Sequence, residues 1–164
     1  AHDAPGRQRV ERGEVAAEQD TSIALQCDLE HRSSGACTNG EHCIERAIRN
    51  GLRRNGYWNI NVARAGNYEI ELRRWPREED VEMTAPIAPR ADYDGEARPG
   101  VALPIASARL KIGELDQSKP VAASDKAVKF ATKLKAGPAK LETWFSDSAG
   151  KEISGAYYVY VERK

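Results

Sequence analysis

Two stretches of strict alternation separated by a glycine-bearing link constrain this chain more than any other feature. In Tyr57-Trp58-Asn59-Ile60-Asn61-Val62 apolar and polar residues alternate, and after Arg64-Ala65-Gly66-Asn67 the pattern resumes in Tyr68-Glu69-Ile70-Glu71-Leu72-Arg73-Arg74-Trp75. A period of two places Trp58, Ile60 and Val62 on one face of a strand, and Tyr68, Ile70 and Leu72 on one face of the next. A helix would scatter the same residues around its axis. With Gly66 in the link, the two strands read as a hairpin with one buried face, which Pro76 ends.

The same reasoning predicts strands at 21–29, 105–112, 127–134, 139–146 and 155–163, with Ala136-Gly137-Pro138 joining 127–134 and 139–146 into a second hairpin. Cys43, Ile44, Ala47, Ile48 and Leu52 fall at helical spacing, so one short helix is expected over 41–54, basic on its outer side and stopped at Asn55-Gly56. The stretch 77–100, with Pro86, Pro89 and Pro99, reads as a long surface loop. Short alternating strands with one helix predict a mainly β fold, an antiparallel β-sandwich, over a helical or doubly wound one. At 164 residues the chain fits one domain. Residues 1–20 are polar and aperiodic, so they are expected to form a flexible N-terminal arm or linker before a sandwich over 21–164.

Charge narrows the possible partners. Lys plus Arg and Asp plus Glu number 25 each, so no net field draws the chain to nucleic acid or an anionic membrane. No run approaches the roughly 18 apolar residues of a spanning helix. The chain begins at Ala1 rather than Met, so a fragment, a processed product or a cut chain is expected. Its cysteines are Cys27, Cys37 and Cys43, and an odd count permits one disulfide and one free thiol. Cys37 and Cys43 bracket a short polar loop and form the candidate disulfide in an oxidising compartment. His31 and His42 lie among these cysteines, but the spacing lacks the paired ligand units of a zinc site. No metal and no cofactor is therefore expected.

Catalytic patterns are missing. The sequence contains no G-x-S-x-G, no Walker loop and no G-x-G-x-x-G, and its histidines, His2, His31 and His42, fall in expected arm or loop segments. Asp92-Tyr93-Asp94-Gly95-Glu96 reads as a solvated turn rather than a calcium loop. Glu69 and Glu71 share a strand face and read as a solvent-facing row balanced by Arg73 rather than as an acid and base pair. The aromatic rings are more informative. Trp75 and Trp144 fall opposite the apolar residues of their strands, as does Tyr157 or Tyr158 depending on register. An exposed ring stacks on the C–H face of a sugar while a neighbouring Arg binds hydroxyl or sulfate groups. Arg73, Trp75, Trp144 and Tyr157 are therefore the candidate carbohydrate-binding residues.

Gly56-Tyr57-Trp58-Asn59-Ile60-Asn61-Val62 through Gly66-Asn67-Tyr68 to Glu71-Leu72-Arg73-Arg74-Trp75-Pro76 resembles the G-x-W-x-V-x-V, G-x-Y and E-L-R-R-W-P tract of C-terminal domains in the bacterial arylsulfatase family. Leu103-Pro104-Ile105-Ala106, Ala108-Arg109-Leu110, Leu134-Lys135-Ala136-Gly137-Pro138, Trp144-Phe145 and Gly155-Ala156-Tyr157-Tyr158-Val159-Tyr160-Val161 resemble its later blocks in order, so the likeness runs from about Thr21 to Arg163. Sulfatase catalysis does not carry over. The family's C-x-P-x-R or S-x-P-x-R nucleophile tract is absent, since Cys27, Cys37 and Cys43 precede Asp28, Thr38 and Ile44. The cysteine-bearing segment also departs from the family, which leaves a stand-alone protein open.

The W-x-x-x-V, G-x-Y and L-x-A-G-P pattern also resembles galactose-binding-like jelly rolls of carbohydrate-binding modules, a likeness at the level of fold. Together the resemblances imply a non-catalytic accessory domain of a sulfatase-like protein, periplasmic or secreted. Its implied partners are a sulfatase catalytic domain or a glycan. The alternative is a protein-protein interaction or assembly module that uses the hairpin or the basic helix, Arg46, Arg49, Arg53 and Arg54, without binding sugar.

Overall fold

The computed structural model describes residues 23–26, 46–53, 55–92, 95–97 and 99–164. The arm over 1–20, the histidines and the candidate disulfide Cys37–Cys43 lie outside the described residues.

Among the described residues eleven strands dominate: β1 (Ile23–Gln26), β2 (Tyr57–Val62), β3 (Gly66–Arg73), β4 (Arg90–Asp92), β5 (Gly95–Ala97), β6 (Ser107–Ile112), β7 (Leu115–Pro120), β8 (Val128–Leu134), β9 (Gly137–Ser146), β10 (Glu152–Ser154) and β11 (Tyr158–Arg163). All pairings are antiparallel. One sheet has the order β1-β11-β3-β8, and a second has β10-β9-β6-β7 with β2 beside β9. Strands β4 and β5 form a separate ribbon inside the expected loop, pairing Arg90 with Ala97 and Asp92 with Gly95.

The sheets meet over one interior. Ile70 and Leu72 of β3, Phe130 of β8 and Val159 of β11 pack with Leu110 and Ile112 of β6 and Leu141 and Phe145 of β9 in a single apolar cluster. The molecule is thus the antiparallel β-sandwich that the alternation predicts. Trp58 and Ile60 are partly buried against this cluster, and Val62 belongs to it, on the side that the pattern assigned.

Both predicted hairpins are corrected. β2 pairs with β9 while β3 pairs with β8 and β11, so residues 63–65 carry the chain from one sheet to the other. The link before β9 does the same, because β8 and β9 belong to opposite sheets. Alternation reports which face of a strand is buried, and a strand keeps that property whether its sequence neighbour lies beside it or across the core. Within the two main sheets, the consecutive strands that do pair are β6–β7, turning at Gly113 with φ 56°, and β9–β10, turning at Gly150 with φ 77°.

Strand β7 escaped the sequence reading because Asp116-Gln117-Ser118-Lys119-Pro120 are all exposed, as suits a sheet edge. Its Lys119 Nζ donates to the Lys129 backbone oxygen of β8 at 2.6 Å and lies 5.1 Å from the Phe130 ring, linking the outer edges of the two sheets.

Residues 46–49 are helical, within the expected helix. Its end is corrected. The amide of Leu52 donates to the Ala47 oxygen, that of Gly51 donates to the Ile48 oxygen, and Gly51 has φ 62°, so the chain leaves the helix at Gly51 rather than at Asn55-Gly56. A Cβ on Gly51 would lie 2.6 Å from Leu103 Cδ2. Gly51→Ala is therefore expected to lower stability by about 1–2 kcal/mol, from left-handed strain plus the displaced leucine, as read by urea denaturation.

Candidate functional site

The four predicted sugar-binding residues do not share a surface. Strand β3 ends at Arg73 and the chain bends at Arg74 and Trp75, so the alternation that would have turned Trp75 outward stops first. Trp75 is only 3% exposed and packs with Ile48, Ile87 and Tyr157 in a second apolar cluster, its indole N–H donating to the Ala85 oxygen at 3.2 Å. Tyr157, also 3% exposed, donates its hydroxyl to the Leu52 oxygen at 2.8 Å. Tyr158, opposite Arg73, is half-buried and packs against the same second cluster. The expectation of exposed rings at Trp75 and Tyr157 is corrected: together they hold residues 46–52 and 81–87 against the sandwich.

Arg73, 8% exposed, is drawn into a buried ionic network. It donates to Glu71 Oε1 at 2.8 Å and to the Trp75 oxygen at 3.1 Å. Arg77, from the 3-10 turn Arg77–Glu79, donates to Glu71 Oε2 at 2.6 Å and lies 4.2 Å over the Tyr160 ring. Burial alone would push the Glu71 carboxyl up. The hydrogen bonds and positive charges of Arg77 and Arg73 outweigh burial and hold it below the ordinary glutamate value. Glu71 is therefore balanced by Arg73 as expected, but buried rather than facing solvent. Glu69 instead meets Lys129 at 3.1 Å and Lys164 at 3.5 Å. These contacts give no support to a Glu69 and Glu71 acid and base pair.

The neighbouring Arg74 is fully buried. Its guanidinium donates to the backbone oxygens of Met83, Ala85 and Val101 and lies 4.3 Å from the Trp75 ring centre. Burial lowers its pKa to about 10, partly countered by Tyr157, so it remains charged at neutral pH. It ties three points of the 83–101 segment together. Arg74→Met leaves the Met83 and Val101 oxygens without this donor. The amides of Gly100 and Leu103, bonded to Ile87 and Thr84, are then expected to exchange with solvent at least tenfold faster by hydrogen exchange, while core amides of β6 keep their protection.

The basic helix offers less than its sequence suggests. Arg46 and Arg53 are exposed, but Arg49 is buried and donates to the Ala88 oxygen at 3.0 Å, and Arg54 lies outside the described residues. Among the described residues no group of three or more His, Cys, Asp or Glu gathers as a metal site, and no helix is long and apolar enough to cross a membrane.

Trp144 is placed as predicted, on the face of β9 turned away from the core, between inward Thr143 and Phe145. Register assembles a surface around it. One row across four strands reads Tyr57, Glu142, Lys111, Asp116, and the next reads Trp144, Arg109, Ser118. Asn59 and Lys140 flank the first row, and Ser146 and Ser107 flank the second. Tyr57 is 58% exposed and stands diagonal to the half-buried Trp144 across β2 and β9. Both rings carry cations: Lys140 Nζ lies 4.3 Å from the Tyr57 ring centre, and the Arg109 guanidinium carbon 4.8 Å from that of Trp144.

Arg109 is held in a fork. Its Nε and Nη2 donate to the two oxygens of Asp116 at 2.7 and 2.6 Å. The hydrogen bond from Arg109 lowers the Asp116 pKa, and the reciprocal bond raises that of Arg109. Lys140 meets Glu142 at 2.9 Å. Sequence reasoning found Trp144 but missed Tyr57 and Arg109. Tyr57 carried a readable signal, since an inward Trp58 forces its neighbour outward. Arg109 carried none, because its position beside Trp144 depends on the pairing of β6 with β9.

No family model matches this chain, and no curated protein matches it. A family 35 carbohydrate binding module from Clostridium thermocellum is 15% identical, with a TM-score of 0.38 over 87% of this chain and 92% of the module. A ruminal GH26 endo-beta-1,4-mannanase is 15% identical, with a TM-score of 0.36 over 68% of this chain. The chain spans 18% of that mannanase. Likenesses this distant carry no argument about ligand or activity; the sandwich is defined by its own strand pairing and shared interior.

Proposed function

We propose that this chain is a non-catalytic β-sandwich module that holds a carbohydrate against the outer face of its β10-β9-β6-β7 sheet, with Trp144 and Tyr57 as stacking surfaces. The observation that carries the reading is the side of the sheet these rings occupy. The inner face already has its full apolar set in Leu110, Ile112, Leu141 and Phe145, so neither ring serves the main core. A sugar presents C–H groups to a ring face and hydroxyls to its surroundings, and Asn59, Glu142 and Arg109 stand beside the rings in register as polar partners.

Affinity electrophoresis against a polysaccharide panel tests the proposal. Trp144→Ala and Tyr57→Ala are each expected to weaken binding by about tenfold, roughly 1.4 kcal/mol, with folding retained. Binding that survives both changes, or a wild-type protein that retards in no polymer and instead oligomerises through this face, defeats the reading in favour of an assembly module. Attachment to a sulfatase catalytic domain, in a periplasmic or secreted protein, is a further part of the proposal and is supported by the ordered motif blocks alone. The reading frame upstream of Ala1 tests it: a C-x-P-x-R or S-x-P-x-R tract supports the attachment, and an unrelated frame removes it.

A further inference from the structure

We infer that the ligand of this face is an uncharged, hydroxyl-rich polysaccharide oriented by Arg109, and not a sulfated or uronate polymer; the inference rests on the carbohydrate reading above. Its ground is the charge arrangement around the two rings. The outer face carries Arg109, Lys111 and Lys140 as cations, and Glu142, Asp116 and Glu152 as anions, three against three. Two of the cations are already engaged, Arg109 by both oxygens of Asp116 and Lys140 by Glu142. Lys111 sits in register between Glu142 and Asp116. A polyanion approaching Trp144 would therefore meet Asp116 and Glu142 along with each cation, and would gain no counterion-driven attraction.

Arg109 supplies the directional contact. Its fork to Asp116 uses Nε and Nη2, and among the described residues Nη1 makes no hydrogen bond. The guanidinium is pinned beside Trp144 with three N–H groups still to donate, two on Nη1 and one on Nη2. A hydroxyl of a pyranose stacked on the indole is an acceptor of the right kind, and the pinned geometry lowers the entropy lost on binding. Asp116 is a positioning residue that fixes this geometry and neutralises the charge.

Titration calorimetry of the full chain tests this with soluble neutral glucan, mannan, xylan and galactan, and with polygalacturonate and heparin as charged probes. The expected result is binding to at least one neutral polymer that changes less than about twofold between low and high salt. Arg109→Lys, which keeps the charge but loses the fork, is expected to weaken that binding about tenfold. Asp116→Asn leaves a surplus cation and is expected to acquire salt-sensitive binding to polygalacturonate or heparin, a gain that loss of packing does not produce. Wild-type binding of heparin or polygalacturonate that depends on Trp144 overturns this inference while leaving the carbohydrate face in place. Binding of no polymer at all overturns both.

Discussion

Glu71→Gln is expected to lower the unfolding free energy by about 3 kcal/mol at neutral pH, among the largest effects of any single polar change in this chain. The substitution is nearly isosteric, so the loss is electrostatic. Arg73, itself buried, loses its carboxylate partner 2.8 Å away and keeps a charge that the surrounding protein cannot hydrate. Arg77 is more exposed and recovers part of its loss from water, which places the estimate at the low end for a broken buried pair. The pH dependence supplies a second readout. Because the folded Glu71 carboxyl titrates below its unfolded value, its contribution is fully present above about pH 4.3 and is lost as pH falls through the folded pKa. Denaturant titrations from neutral to acid pH should show that slope in the wild type and a shallower one in Glu71→Gln. Equal slopes would mean that the carboxylate is not held by the two arginines.

Trp144 and Phe145 are adjacent in sequence and opposite in consequence. Phe145→Ala is expected to cost about 3–5 kcal/mol, because the ring is fully buried between the sheets and its removal leaves a cavity that β strands on both sides cannot close. Trp144→Ala removes a larger side chain and is expected to cost only about 1 kcal/mol, since the ring lies on the solvent side with Arg109 against it. Its main effect falls on ligand binding. Urea unfolding of the two variants measures the contrast directly. Comparable losses would place Trp144 in a packed interior and remove the platform on which the proposed function stands.

These two neighbours also show how far the amino-acid order could be read. Alternation over 57–62, 68–73 and 139–146 assigned inward and outward residues correctly for Trp58, Ile70, Leu72 and Trp144, because a strand's pleat is a local property. The same rule failed at Trp75, where the chain bends after Arg73 and no pleat remains to be extrapolated. It gave no warning that Glu71 would be covered, since the cover comes from Arg77 folding back over Tyr160. Strand β7 was hidden by its polarity.

Local periodicity in this chain was sufficient to determine a β-sandwich and the buried side of its main strands, because apolar burial at a period of two has few other solutions. Partnership was decided only in the folded molecule. Which strand lies beside which depends on closing long loops around a shared interior, and that choice sent β2 and β3 to opposite sheets and brought Arg109 beside Trp144. A surface built from residues 57, 109 and 144 exists only once those distant strands are in register.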